Sequence, residues 1–497
     1  MKKILLLISI SALCLSGCDL DINEDPNYPS NESVTADLVF PAIENAIATA
    51  NGDAMFNYAS FYAQYFEQKP EKNQYNDIVE QNLQESSALI DRSYRTLYAG
   101  ALQDIEDVKS KTTNAADLFA ATVLRAYAFQ LLVDNMSECP YTEALQGSAI
   151  PSPAWDNGET VYKGVLAEMD AAEAALGSSD NMECTDPLLN KDVDAWRGFA
   201  NALRLRMYMR LIDGGIDAAT YTSAATALVQ SDDFFSGNVA FDVYSDLEGQ
   251  YNPWYGAVFA LTDNHCAAHP LISYLSATND PRIAYGFSPA EATSTYVGQM
   301  PGAKTVMKNW GSNTDWKDVN VSAVKYAPAH AMPVYFFTQS ELQFLIAEVQ
   351  LRFLSNSTAA KSAYEAGVAA DFSARGMGGQ ETAFLAGALV NWDAAGSTDA
   401  QLKLIYMQKW VAFYYMNPME GWSELRRTDC PALSSHSGKE IYEDPSIYEA
   451  GNLIEPAING LEAGGLVKRT YYPSSARQLN PNTPAAVSPA TPVFWDK

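Results

Sequence analysis

Helical periodicity in paired segments constrains the fold of this chain more than any other feature of its sequence. From Lys191 to Asp213 the apolar residues recur at intervals of three and four, which places them on one face of a helix. Asn190 is the predicted N-cap, and Asp192 and Asp194 lie in the predicted first turn, where acidic residues are favourable. We expect one face of this helix to be buried in a core.

A second strong helix signal runs from Thr338 to Leu354, where Thr338 and Glu341 have the spacing of a capping box. After a few residues, each of these two segments is followed by another helical pattern, from Ala218 to Gln230 and from Thr358 to Ala374. Such pairs are typical of antiparallel hairpins like those of tetratricopeptide repeats, although no regular period of roughly 34 residues is present. The same periodicity predicts further helices from Ser33 to Ala50, Ser86 to Ser110, Asn114 to Asp134, Glu159 to Leu176 and Asp399 to Met416.

Two stretches break this pattern. Residues 231–337 and 417–497 contain many Gly, Pro, Asn and Asp residues among aromatic ones, which is incompatible with long helices. Ordered loops of this length usually carry function. No Pro/Gly/Ser-rich linker divides the chain, so we expect one α-helical domain over residues 33–497 with these two loop-rich insertions.

The N-terminus has the pattern of an exported lipoprotein. Lys2 and Lys3 precede a short apolar run, and Leu15-Ser16-Gly17-Cys18 resembles a bacterial lipobox. We expect a signal peptide over residues 1–17, lipid on Cys18 and an acidic tether over residues 18–32. Acidic residues directly after the lipidated cysteine resemble a surface-export signal, so we expect the protein on the extracellular side of the outer membrane. The alternative is that these residues form only a soluble linker.

Composition narrows the possible partners. The formal net charge is −28, which repels phosphate backbones and disfavours nucleic acid as a partner. Beyond the N-terminal signal, the cysteines are widely spaced, which argues against a zinc site or a redox motif and leaves one disulfide or free thiols equally open. Apart from the predicted lipidation site Cys18, these cysteines are Cys139, Cys184, Cys266 and Cys430.

Catalytic and metal-binding patterns are scarce. His265 and His269 have the i,i+4 spacing of a helical metal site, but Pro270 follows at once and no adjacent Glu is present. No nucleophile elbow, phosphate-binding loop or dinucleotide fingerprint occurs. We therefore predict no metal, no cofactor and no catalytic residue.

Aromatic residues beside amides and acids in the irregular regions are typical of a glycan site, because sugars present apolar faces edged by hydroxyl groups. The candidate ligand-binding residues are Tyr75, Tyr251, Trp254, Tyr255, Trp310 and Trp316. Each of them could equally be a core residue. Trp196, Trp410 and Trp422 lie on helices and are expected to be structural, as are Arg426 and Arg427, which we expect to pair with helix acids.

Several motifs in order along most of the chain resemble the SusD/RagB-type nutrient-binding outer-membrane lipoproteins of Bacteroidetes, in particular their SusD-like branch. The lipobox and the acidic tether agree with this resemblance. The motifs are DPNYPS at 25–30, WRGFANALRLR at 196–206, SELQFLIAE at 340–348, YEAGV at 364–368, QKWVA at 408–412, EGWSELRRT at 420–428, RTYYP at 469–473 and NPN at 480–482.

The resemblance implies an all-α scaffold of degenerate tetratricopeptide hairpins with a large loop-rich layer that binds a glycan or another nutrient. It also implies a non-catalytic protein that acts with a SusC-like TonB-dependent outer-membrane transporter and passes the ligand inward. The leading hypothesis is capture of an oligosaccharide. A peptide ligand, a surface glycoside hydrolase and a structural surface protein that binds other proteins remain alternatives.

Overall fold

The structure is a computed structural model that describes residues 34–86, 88–258, 263–311, 314–326 and 329–496. The predicted signal peptide, Cys18 and the predicted tether lie outside these residues. The described chain is built from α-helices, which confirms the predicted all-α class. Its long helices are α1 (Ala36–Ala50), α2 (Gln103–Lys111), α3 (Ala115–Met136), α4 (Gly158–Ala174), α5 (Val193–Asp213), α6 (Ala218–Ser231), α7 (His269–Ala277), α8 (Gln339–Arg352), α9 (Ser357–Ala374), α10 (Thr398–Phe413) and α11 (Pro418–Thr428).

The helices pack as consecutive pairs, as predicted. The most extensive contacts are made between α8 and α9, between α3 and α4, and between α5 and α6, and α10 packs on α8 and on α11. Gly367 of α9 lies against the ring of Phe344 of α8, where an added Cβ would come within 2.8 Å of the ring. The absence of a side chain at Gly367 therefore allows these two helices to approach closely.

The structure confirms one predicted helix start and corrects another. The Thr338 side chain caps α8 by accepting a hydrogen bond from the Glu341 N–H at 3.1 Å, as the capping-box spacing predicts. The N-cap of α5 is Asp192, whose carboxylate accepts from the Asp194 and Ala195 N–H groups at 3.0 Å. Asn190, the predicted cap, has a positive φ of 56° and lies before the helix. Because Asn190 lies in the turn before the helix, Asp192 is the residue that accepts from the unpaired N–H groups of the first turn of α5.

Two other segments also differ from the prediction. The helix expected from Ser86 to Ser110 is a short helix (Asp91–Arg95), a π-helical turn (Thr96–Leu102) and α2, and the π turn holds Gly100 against Ala46 of α1. The loop-rich region expected from residue 417 begins with α11. Pro418 is compatible with this helix because it occupies the first turn, where no N–H donor is needed, and Asn417 provides the N-cap.

The core contains the tryptophans that the sequence places on helices. Trp196, Trp410 and Trp422 are buried, as predicted. The α3 helix is long and apolar enough to cross a membrane, but 94% of its apolar window is buried inside the protein, so it is a core helix. The four described cysteines (Cys139, Cys184, Cys266 and Cys430) are free thiols.

Two clusters of buried charge join the helical pairs. In the first, Arg206 and Arg210 of α5 contact Glu341 of α8, Glu420 of α11 and Asp134 of α3. In the second, Arg427 of α11 contacts three carboxylates, as the sequence predicts for this arginine.

Arg426 behaves differently from Arg427, so its predicted pairing with an acid is wrong. Its guanidinium donates to the carbonyl oxygens of Asp134 and Lys468, both at 2.8 Å, and lies 3.8 Å from the ring centroid of Trp422. Carbonyl oxygens and an aromatic face thus take the place of a carboxylate.

The irregular residues between α6 and α8 form a layer of short elements. It contains the short helices Pro253–Val258, Ile283–Gly286 and Met307–Trp310 and the 3₁₀ turns Asp318–Asn320 and Ala329–Ala331. Antiparallel strand pairs tie the layer to the rest of the chain: β1 (Phe66–Gln68) pairs with β5 (His265–Ala267), and β4 (Val239–Phe241) pairs with β6 (Val334–Phe337). A third pair, β2 (Glu138–Cys139) with β3 (Asp156–Asn157), joins α3 to α4. The C-terminal region adds the short helices Gly438–Glu443 and Ser474–Leu479 and the 3₁₀ turn Pro445–Ile447.

Candidate ligand-binding surface

Two of the predicted ligand-binding residues lie in the core. Trp254 has no exposed surface, and its ring packs on Phe66 and Tyr326 at centroid distances of 5.7 Å. Tyr75 is 8% exposed and packs on the ring of His265 at 4.9 Å. In this structure neither ring presents a face to a ligand, because long-range packing covers both, and we place them among the residues that support the loop-rich layer.

Tyr251 lies at an open groove of about 570 Å³, and Tyr255 packs on it. Tyr251 lines this groove, and its ring meets that of Tyr255 edge to face at 5.2 Å. Polar residues from distant parts of the chain complete the lining. They are Asn45 and Thr49 of α1, Arg92, Gln250 and Asn252. We call this surface the tyrosine groove.

Asn252 fixes the start of the short helix that carries Trp254 and Tyr255. Its side-chain oxygen accepts from the backbone N–H of Trp254 at 2.9 Å and of Tyr255 at 3.3 Å, which starts the short helix Pro253–Val258. Its side-chain amide donates to the Met332 carbonyl at 2.7 Å. One end of the helix is thereby fixed against the core, with Trp254 facing inward.

Trp310 and Trp316 belong to a second site. Both are half-buried and pack against a small apolar cluster formed by Met300, Ala303, Met307, Ile441 and Ile454. Beside this cluster lies a cavity of about 440 Å³. The cavity is lined by His269, Thr293, Val297, Gly298, Gln299, Met300, Met307, Thr314, Asp315, Asn320, Val321, Ile441, Tyr442 and Pro445. We call it the Gln299 cavity.

The Gln299 wall of this cavity is fixed by backbone pairing. The Gln299 N–H donates to the Ala267 carbonyl at 2.8 Å, and the His269 N–H donates to the Gln299 carbonyl at 2.9 Å. Gly298 permits this close approach, because an added Cβ would lie 2.5 Å from the His269 Cα. Gln299 and His269 therefore lie side by side although thirty positions separate them in the sequence.

The opposite wall comes from the C-terminal region. Ser437 and Glu440 form a reciprocal capping box that starts the short helix Gly438–Glu443. That helix carries Tyr442, whose hydroxyl donates to the Asp315 carboxylate at 2.7 Å. The Trp310 ring lies 5.9 Å from the Tyr442 ring, so an aromatic residue from a distant segment packs on Tyr442 beside the cavity.

Gly311 makes room for this contact. A Cβ at this position would come within 2.1 Å of the Tyr442 hydroxyl and 2.2 Å of an Asp315 carboxylate oxygen. The hydrogen bond between Tyr442 and Asp315 thus lies directly over the Gly311 backbone. A side chain at residue 311 would displace it.

The ionisation states in the cavity follow from burial and from one hydrogen bond. Burial lowers the pKa of His269 to about 4, so its imidazole is uncharged at neutral pH. The hydrogen bond to Asp315 raises the pKa of Tyr442 to about 12, so the Tyr442 hydroxyl keeps its proton. No Lys or Arg is among the described residues that line the cavity. A neutral ligand suits this lining better than an anionic one.

Gln299, His269 and Tyr442 were not predicted from the sequence as ligand-contacting residues. The capping-box spacing of Ser437 and Glu440 was a readable signal for the helix that carries Tyr442. Gln299 has no comparable signal, because its place at the cavity depends on pairing with Ala267.

The His265 and His269 rings do not share a helix face, although their spacing in the sequence would allow it. His265 lies in strand β5, whereas His269 begins α7, so an i,i+4 spacing does not bring the two rings to one helix face. In the described ranges, no group of three or more His, Cys, Asp or Glu residues could hold a metal ion.

The fold and the motif order have a counterpart among known proteins. A family model described as "Starch-binding associating with outer membrane" matches residues 26–447, which is most of the chain. The chain belongs to the SusD-like family. SusD-like proteins bind carbohydrate and are not catalysts, so this chain is a binding protein rather than an enzyme, and the hydrolase alternative is excluded.

Solved structures agree with this assignment at the level of the fold. A SusD homologue from Bacteroides uniformis is 22% identical with a TM-score of 0.68, and the match covers 92% of this chain and 99% of that one. A chitin-binding SusD homologue from Flavobacterium johnsoniae is 20% identical with a TM-score of 0.73, covering 92% and 98%. A SusD homologue from Bacteroides fragilis is 20% identical with a TM-score of 0.70, covering 93% and 99%. A search of curated proteins gave no match.

Proposed function

We propose that this SusD-like protein is lipid-anchored through Cys18, captures an oligosaccharide on the extracellular side of the outer membrane and delivers it to a SusC-like TonB-dependent transporter. The proposal combines the family assignment with the lipobox read from the sequence. The ligand is held without covalent change, by ring stacking and hydrogen bonds.

The observation that carries the glycan part of the proposal is the Gln299 cavity. Tyr442, a half-buried aromatic residue, lines it together with the polar residues Gln299, Asn320 and Asp315, and the half-buried Trp310 packs on Tyr442 beside it. Sugars have apolar ring faces and a periphery of hydroxyl groups, so a site of this composition matches both parts of the ligand. Trp316 packs on the same apolar cluster, where the Lys308 ammonium lies 5.7 Å from its ring centroid.

The tyrosine groove provides a second area of the same chemistry. Tyr251 lines an open depression together with Arg92 and Gln250, as an extended oligosaccharide would require, and Tyr255 packs on Tyr251. We assign ligand contacts to these two tyrosines as well as to Trp310 and Trp316.

Glycan binding is tested by screening the purified soluble protein, without residues 1–18, on a glycan microarray and measuring each hit by isothermal titration calorimetry. Tyr442→Ala is expected to weaken a hit by about 5- to 150-fold, since a ring face stacked on an aromatic side chain contributes about 1–3 kcal/mol. Tyr221→Ala is the matched control, because Tyr221 is a half-buried tyrosine of α6 stacked on Tyr208, away from both sites. Binding of peptides with no glycan hit would refute the glycan proposal.

The delivery step is tested in the native outer membrane. Affinity purification of the tagged full-length protein from detergent-solubilised membranes is expected to recover a TonB-dependent transporter. Deleting that transporter should abolish uptake of the bound glycan while leaving its binding to the purified protein unchanged. Recovery of no transporter, together with normal uptake after the deletion, would refute this step.

A further inference from the structure

Gln299 carries an unused hydrogen-bond donor. The residue is 1% exposed and lines the Gln299 cavity, and its side-chain Nε2 has no hydrogen-bond partner among the described residues. A buried donor without an acceptor is costly, so native proteins seldom keep one unless a ligand or a water satisfies it. A ligand oxygen that enters the cavity would remove this cost.

The rest of the cavity lining defines the chemistry of that ligand. Met300, Met307, Val321 and Ile441 give it an apolar wall beside the amide. Asp315 accepts from Tyr442, and the described residues of the lining include no Lys or Arg, so an anionic group finds no cationic partner among them. The cavity therefore suits a small neutral group that combines a hydrogen-bond acceptor with an apolar end.

We infer that the Gln299 cavity receives the acetamido group of an N-acetylhexosamine residue, with the acetyl oxygen accepting from Gln299 Nε2 and the methyl group packed on Met300 and Met307. This inference rests on the proposed glycan-binding function and names the sugar class at this site. A plain hexose has only a hydroxyl group at the same position, which leaves the apolar wall unfilled.

The decisive comparison uses two trisaccharides with the same β-1,4 backbone, tri-N-acetylchitotriose and cellotriose, titrated calorimetrically against the purified protein. Burial of one methyl group and formation of one hydrogen bond together favour the acetylated sugar by roughly 10- to 30-fold. The Gln299→Leu variant is expected to remove most of this preference, because leucine has no N–H group to donate to the acetyl oxygen. Gln103→Leu, at an exposed position of α2, is the matched control and should leave both affinities unchanged.

A second measurement avoids any substitution in a buried site. Saturation-transfer NMR on the unaltered protein with tri-N-acetylchitotriose is expected to give the strongest saturation at an acetamido methyl group. Uniform saturation over the sugar ring protons, or equal affinity for the two trisaccharides, would overturn the inference and leave the glycan-binding function intact. Absence of any glycan ligand in the microarray screen would instead refute the proposed function itself.

Discussion

Replacing Arg427 with methionine should destabilise the scaffold far more than removal of a surface ion pair. Arg427 is fully buried and contacts the carboxylates of Asp213, Glu348 and Glu424 at 2.5–2.7 Å. Arg352 and Lys409 are the other cations of the cluster, so three cations face three carboxylates. Methionine fills a similar volume but leaves one buried negative charge unbalanced.

The expected cost at pH 7 is about 3–5 kcal/mol, the usual effect of breaking a buried ion pair from one side. The unfolding entropy is about 2.1 cal/mol/K per residue. For a chain of 497 residues, the free energy of unfolding therefore changes by roughly 1 kcal/mol per degree near the melting temperature. The melting temperature should therefore fall by about 3–5 °C. The matched control is Arg197→Met, which removes a surface pair with Asp194 (89% exposed) and should cost less than about 1 kcal/mol.

The pH dependence provides an independent check. Burial alone would raise the pKa of Glu348, but the guanidinium groups of Arg427 and Arg352 outweigh it and lower that pKa from 4.5 to about 2. In the wild-type protein this carboxylate thus contributes stability above about pH 4.5 that is lost as the pH falls towards 2. Without Arg427, the effect of burial on Glu348 is opposed less strongly and its pKa rises, so the variant loses stability relative to the wild type as the pH rises through that pKa. The difference between variant and wild type should be largest at pH 7 and smaller at pH 5.

Urea unfolding followed by circular dichroism at pH 7 and pH 5 measures both effects. Adding Glu348→Gln to the Arg427→Met variant removes one negative charge and should recover part of the lost stability at pH 7. The reasoning is refuted if Arg427→Met and Arg197→Met cost the same, or if the cost of Arg427→Met is independent of pH.

Three shorter predictions test the packing, the site and the anchor. Gly198→Ala should lower the free energy of unfolding, measured in urea, by about 3 kcal/mol, because the added Cβ would lie 2.2 Å from the Phe235 backbone nitrogen. The control is Gly256→Ala, whose added Cβ would have its nearest neighbour at 3.8 Å, and it should be neutral or slightly stabilising. Tyr442→Phe removes the hydrogen bond to the Asp315 carboxylate. It should weaken glycan binding about fivefold in calorimetry and lower the free energy of unfolding by no more than about 1 kcal/mol. An unchanged affinity would exclude this hydroxyl from the site. Cys18→Ser should release the full-length protein from the membrane fraction on cell fractionation, and retention there would contradict the lipid anchor.

Local sequence patterns were sufficient to predict most of the long helices. The capping residue Thr338 and the apolar repeat of α5 act within one or two turns, so their effect can be read without knowledge of distant contacts. The two exceptions differ in kind. The π turn holds Gly100 against Ala46 of α1, a contact that the sequence does not reveal, whereas α11 begins with a local signal, the N-cap Asn417 followed by Pro418.

The sequence predicted which types of residue form the candidate site, but not which individual residues are accessible there. Trp254 and Tyr255 are adjacent aromatics in one loop, yet one is fully buried and the other half-buried, because Phe66 and Tyr326 from other segments cover only the first. Sequence could not distinguish them, since burial of a loop residue is decided by chain segments far away in the sequence.

The sequence by itself determined the helical hairpins, the family resemblance and the lipobox at Cys18, because each depends on residues that are neighbours along the chain. Only the tertiary structure decided that Gln299 and Tyr442 line one cavity, with Trp310 packed on Tyr442 beside it. Their meeting depends on a strand-like pairing made possible by the missing side chain of Gly298 and on a capped helix more than one hundred residues further along. Contacts of this kind have no periodicity, so they become visible only when the backbone has brought the segments together.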